Sequence, residues 1–136
     1  MSDNSSAEIK AHLDAPPDRV WAALTEADAL TAWYWPATLE PKATSDPVVG
    51  GSFGLATSSP DMGFSGRYLE LDAPRHLVQT WRWAGAQTDS RVTIDLTPAD
   101  GGTDLVVVHD RVDEETAEMY RQGWESCLGR LPGYLA

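Results

Sequence analysis

Between residues 63 and 110 short strand-like segments, alternating most cleanly over 91–96, are separated by turn residues, and from residue 113 onward apolar side chains recur every three or four. That change of period is the strongest constraint on the fold. The alternating segments span 63–72, 76–83, 91–96 and 103–110, with clear turns at Asp72-Ala73-Pro74-Arg75 and Pro98-Ala99-Asp100-Gly101-Gly102. Strands joined so closely pair antiparallel, because a parallel crossover needs a dozen or more connecting residues. Beyond them Tyr120, Trp124, Cys127, Leu128 and Leu131 fall at i, i+4, i+7, i+8 and i+11, one stripe of a helix. Asp113-Glu114-Glu115 place negative charge at its start, where the helix dipole favours it. Over 113–131 the helix is roughly 28 Å long at about 1.5 Å per residue, enough to lie across a sheet. Pro132-Gly133 is expected to end or kink it.

The upstream half reads more briefly. Ile9, Ala11 and Leu13 alternate with Glu8, Lys10 and His12, a half-buried strand stopped at Asp14-Ala15-Pro16-Pro17. Val20, Trp21 and Leu24 then keep helical spacing. Thr25 is expected to cap a second short helix, with Asp28 three residues on, which carries Leu30, Trp33 and Tyr34 and stops before Pro36. A short strand is expected over 37–44, and after Asp46-Pro47 another around Phe53 and Leu55, opened by Gly50-Gly51. The 136 residues suit one domain. The reading is an α+β domain over 8–136 behind a flexible tail at 1–7.

Charge excludes some functions. The formal net charge of -11 argues against a nucleic-acid partner and against docking on anionic membranes. No apolar run approaches the ~20 residues of a membrane span, and the opening lacks the pattern of a signal peptide. Cys127 is the one cysteine, so neither an internal disulfide nor a cysteine zinc site can form. His12, His76 and His109 show no metal-ligand spacing, and phosphate-binding and nucleophile-elbow motifs are missing. The expectation is a soluble, cytoplasmic protein with no metal and no cofactor.

Five stretches also carry a family resemblance. APPDRVWAALTEADALTAWYWP at 15–36 resembles the opening of the helix-grip superfamily (START-like, SRPBCC, Bet v 1-like). More narrowly it is similar to the branch named after the activator of heat-shock-protein ATPase, in its C-terminal domain. VGGSF at 49–53, GRYLELDAPRHLVQTW at 66–81, VTIDLTPADGGTDLVVVH at 92–109 and GWESCLGRL at 123–131 follow in the family's order. One departure is Val48, where the family often has Arg two residues before the Gly-Gly pair. The resemblance implies a curved antiparallel sheet, with two short helices after the first strand, wrapped around the long C-terminal helix. It also implies an elongated cavity between sheet and helix. The scaffold hosts lipid carriers, hormone receptors, polyketide cyclases and co-chaperone modules, so it does not choose among them.

The inward positions supply the candidate ligand-binding residues: Phe53, Phe64, Tyr68, Trp81, Trp83, His109, Tyr120, Trp124 and Cys127. These either wall a cavity for an apolar or aromatic small molecule or fill a core. His109, inward on an apolar strand, is either an acid–base group or a core histidine held by a tyrosine or a carbonyl. Glu70 shares the Tyr68 face by strict alternation, which would make it a second acid–base candidate. A bulge near Glu70-Leu71 would turn it out to solvent. Cys127, on the helix stripe, reads as an inert apolar residue. Three functions follow: a binding protein for a hydrophobic small molecule, a co-chaperone-like module with a chaperone partner, and a cyclase- or hydrolase-type enzyme. A homodimer formed along the sheet edge near 37–44 is left open.

Overall fold

The computed structural model of the protein describes residues 5–136. Strand β1 (Ser5–Leu13) leads into helix α1 (Pro17–Thr25), where Pro17 occupies a first-turn position that needs no N–H donor. Helix α2 (Ala27–Trp33), a 3-10 turn (Ala37–Leu39) and the short strand β2 (Lys42–Ser45) follow. Then come β3 (Ser52–Ala56), β4 (Gly63–Asp72), β5 (His76–Trp83), β6 (Ser90–Ala99) and β7 (Gly102–Val112). Helix α3 (Glu114–Leu135) closes the chain.

The seven strands form one curved antiparallel sheet in the order β1-β7-β6-β5-β4-β3-β2. Each strand from β2 to β6 pairs with its successor, as their short connections require. Strand β1 pairs instead with β7, so α1 and α2 carry the chain from one edge of the sheet to the other. Helix α3 packs on β1, β7 and α2. This is the helix-grip arrangement. Leu77, Val92, Leu105, Val107 and Leu131 are fully buried between sheet and helix. At about 25 cal/mol per Å² this apolar contact is the main force docking α3.

Two turns show local chemistry choosing geometry. Asp100 (φ 50°) and Gly101 (φ 80°) are both left-handed between the paired residues Ala99 and Gly102, as a tight two-residue hairpin requires. Gly66 faces Phe53 across β3 and β4, and a β-carbon there would lie 2.0 Å from the Thr80 carbonyl oxygen. Only glycine fits.

Four expectations change. The first strand starts at Ser5, not Glu8: Ser6 and Ala7 pair with Asp110 and His109, and Ala7 is buried. The proposed tail at 1–7 therefore loses Ser5–Ala7, and residues 1–4 lie outside the described residues. Thr25 ends α1 and its hydroxyl donates to the Trp21 carbonyl, while Glu26 takes the cap position of α2 without a side-chain bond. The stretch 37–44 is a 3-10 turn followed by a strand that begins only at Lys42. Helix α3 passes Pro132 and runs to Leu135. The burial of Leu135 against the core holds it there, as does Arg19, whose guanidinium donates to the Leu135 carbonyl at 2.7 Å.

Candidate functional site

The open end of the grip, where β5 turns into β6 and β7 leads into α3, holds a cleft of about 730 Å³. Trp81 and Trp83 from β5 form its floor, and Tyr120, Gly123, Trp124 and Cys127 from α3 form one wall. Trp35 and Tyr34 enter from the exit of α2, and the 84–89 turn makes the opposite rim. Deeper between sheet and helices lies a space of only about 20 Å³, room for about one water. Phe53, Phe64, Tyr68 and Leu24 line it. Tyr34, Trp81 and Trp124 line both spaces, so they are the partition between them.

The partition is a continuous aromatic cluster. Phe64 stacks on Trp81 with centroids 4.6 Å apart, and Trp81 stacks on Trp83 at 5.9 Å. Trp35 meets both Phe64 and Trp83 edge-on, at 5.5 and 5.9 Å, and Tyr34 meets Trp124 at 5.7 Å. Offset and edge-on pairs of this kind add about 0.5–1.5 kcal/mol each beyond their buried area, which makes the wall stiff.

His109 lies behind that wall and not in the cleft. Ser90 gives its hydroxyl hydrogen to the Trp81 carbonyl at 2.9 Å, so its oxygen accepts from His109 Nε2 at 2.7 Å. Trp124 Nε1 donates to His109 Nδ1 at 3.1 Å. The ring is therefore neutral, with its proton on Nε2. It stacks on Tyr120 at 4.3 Å and 15°. Burial pushes its pKa down to about 3. With both ring nitrogens engaged and no charged group bonded to it, His109 holds the Trp124 indole in place. The structure places His109 as a buried histidine bonded to a serine and a tryptophan, not to the tyrosine hydroxyl or backbone carbonyl that the sequence suggested.

Glu70 is likewise outside the cleft. The pairing of β4 with β5 shifts between Tyr68 and Glu70, a bulge that leaves Leu69 unpaired and turns Glu70 to the outer face. There it accepts from His76 Nε2 at 3.2 Å, while His76 Nδ1 meets Asp95 at 2.6 Å. The Asp95 hydrogen bond, then Glu70, raises the His76 pKa above its ordinary value. Cys127 does face the cleft, yet burial pushes its thiol up to about 11, so it stays protonated at neutral pH.

Thus Trp81, Trp83, Tyr120, Trp124 and Cys127 come together around the cleft, while Phe53, Phe64 and Tyr68 line the small inner space and His109 lies behind the wall. Sequence reasoning missed Tyr34, Trp35, Met62, Arg111 and the 84–89 turn. Gly85 marked that turn, but nothing local showed that it would border the helix. No cluster of three His, Cys, Asp or Glu suited to a metal occurs among the described residues. No helix of the described residues is long and apolar enough to cross a membrane.

The sequence matches the family model described as activator of Hsp90 ATPase homolog 1-like protein over residues 14–136. Among solved structures, protein CV1439 from Chromobacterium violaceum is 28% identical, with a TM-score of 0.81 and 96% of each chain covered. CalU16 from Micromonospora echinospora is 31% identical at a TM-score of 0.76, over 96% of this chain and 76% of that one. PFC0360w, an HSP90 activator from Plasmodium falciparum, shares the fold at 24% identity and a TM-score of 0.73, over 90% of this chain and 89% of its own. No curated protein matches at a significant level.

Proposed function

The chain belongs to the family of activator of Hsp90 ATPase homolog 1-like proteins, and on that footing we propose that it binds a small apolar, aromatic molecule in the cleft between the sheet and α3. The cleft itself carries this reading. Its volume of about 730 Å³ falls within the roughly 300–1,000 Å³ usual for ligand sites. Its walls are indoles and the phenols of Tyr34 and Tyr120, which offer large flat contact area at little entropic cost. Its polar lining comes from Thr88, Asp89, Ser90, Arg111, Asp113 and Thr116, all towards the 84–90 turn and the start of α3. That pattern suits a ligand with an apolar body and a polar end.

Binding is favoured over turnover because the two acid–base candidates are both engaged elsewhere, His109 inside the wall and Glu70 on the far face. A chaperone-docking role rests on the family description alone and leaves the aromatic cleft without a purpose. The test is a titration with representative fatty acids, sterols, flavonoids and polyketides, read by tryptophan fluorescence. Four tryptophans line the cleft, Trp35, Trp81, Trp83 and Trp124, so an occupant should quench saturably. A flat response across all four classes would remove the proposal.

A further inference from the structure

Arg111 is a left-handed residue at the mouth of the cleft. Its φ is +66°, a conformation that an L side chain enters only at an energetic cost. The cause is visible in the pairing of β1 with β7. Ser5 faces Val112 and Ser6 faces Asp110, so Arg111 is an extra residue bulged out of the ladder. Simple alternation would send Arg111 and Val112 to opposite faces, yet both line the cleft. Bulges of this kind re-aim side chains, and glycine is the residue usually found at such a φ.

Arg111 is also uncommitted. Six of the eight arginines hold a carboxylate or a backbone carbonyl, namely Arg19, Arg67, Arg75, Arg82, Arg121 and Arg130. Arg91 and Arg111 have no such partner among the described residues, and only Arg111 borders the cleft. The two acids on the rim are already engaged. Asp89 accepts from Arg82 at 2.8 Å, and Asp113 accepts from the Thr116 N–H at 2.7 Å as the cap of α3. The positive end of the α3 dipole faces the same mouth. In a chain of net charge -11, a free guanidinium held in a strained conformation over an aromatic pocket is an unusual arrangement.

We propose that the cleft selects aromatic ligands that carry a carboxylate, with Arg111 as the anchor that receives it at the mouth. The proposal rests on the ligand-binding reading and gives its chemical class. A guanidinium offers two parallel N–H donors that match a carboxylate, and the indole-lined body takes the ring.

The experiment compares 2-naphthoate with the neutral, similarly shaped 2-naphthamide by calorimetry, on the wild type, Arg111→Gln and Arg111→Gly. The wild type should bind the acid roughly tenfold more tightly than the amide, the usual value of a hydrogen bond to a charged group. Arg111→Gln should bring that ratio to about one by weakening the acid far more than the amide. Arg111→Gly should do the same and also raise the unfolding midpoint, since glycine relieves the left-handed strain. Equal affinity of the wild type for acid and amide would overturn the anchor and leave the cleft as a site. A preference that survives in both variants would also overturn it. Failure of both compounds to bind the wild type would overturn the anchor and the ligand-binding reading together.

Discussion

His109 and His76 show how differently two histidines of one chain respond to acid. His109 is neutral in the fold, with its pKa down at about 3, and its unfolded value is near 6.5. Between those limits the unfolded chain takes up a proton that the fold refuses, so stability falls as pH drops through the window. The slope approaches about 1.4 kcal/mol per pH unit from this one group. His109→Gln should cost stability at pH 7, because Ser90 and Trp124 lose a well-placed partner, and the deficit should shrink steadily towards pH 4.5. Denaturant midpoints of the two proteins at pH 7.0, 5.5 and 4.5 check this; a deficit that does not change with pH contradicts it. His76 has the opposite sign. Its raised pKa, caused first by Asp95 and then by Glu70, gives stability that is complete below pH 6.5 and lost as pH rises through the folded value. His76→Gln should therefore matter more at pH 6 than at pH 8.5. Because the group is partly exposed, the effect stays within about 1 kcal/mol. The inward position of His109 was legible from alternation along β7. Its partners were not, because Ser90 and Trp124 lie on other elements and hydrogen bonds across elements leave no local pattern. Arg111 was illegible for a related reason: a bulge depends on how two strands pair, and the period of either strand alone does not reveal it.

At the scale of elements, α3 was legible in its apolar stripe and its acidic start, and the structure adds that Asp113 caps it by accepting from the Thr116 N–H. Its end was misread because proline usually closes a helix. Here the stripe continues through Leu131 to Leu135, and tertiary burial overrides the local signal. Two predictions separate these forces. Leu131, fully buried, should cost about 2–5 kcal/mol when changed to Ala, measured by chemical denaturation. Pro132→Ala should stabilise by about 1–2 kcal/mol, since a continuous helix regains a donor for the Leu128 carbonyl. A helix that ended at Pro132 would gain nothing, so an unchanged midpoint would contradict the continuity. The strands from β4 to β7 were legible as elements because turn residues mark their ends, though β6 runs over Ser90–Ala99 and β7 over Gly102–Val112, past the 91–96 and 103–110 of the alternation. Strand β2 was blurred: with only four residues, alternation has too little length to declare itself.

At the scale of the whole molecule, the grip was legible but its hollow was not. Alternation and the helix stripe name which side chains face each other. Whether they meet or leave room depends on volumes summed across six elements. Here Phe53, Phe64 and Tyr68 close the interior, and the space that remains lies at the end of the sheet. The most direct test of that claim uses Gly123, which lines the cleft and whose added β-carbon would meet nothing within 4 Å. Gly123→Leu should plug the cleft while gaining about 0.5–1 kcal/mol of helix stability. The measurement is the affinity of wild type and Gly123→Leu for the neutral probe 2-naphthamide, with unfolding midpoints taken in parallel. The account predicts saturable binding to the wild type and at least tenfold weaker binding to the variant, whose midpoint is unchanged or higher. Equal affinity in the two proteins would contradict it, because the ligand would then be held somewhere other than the cleft.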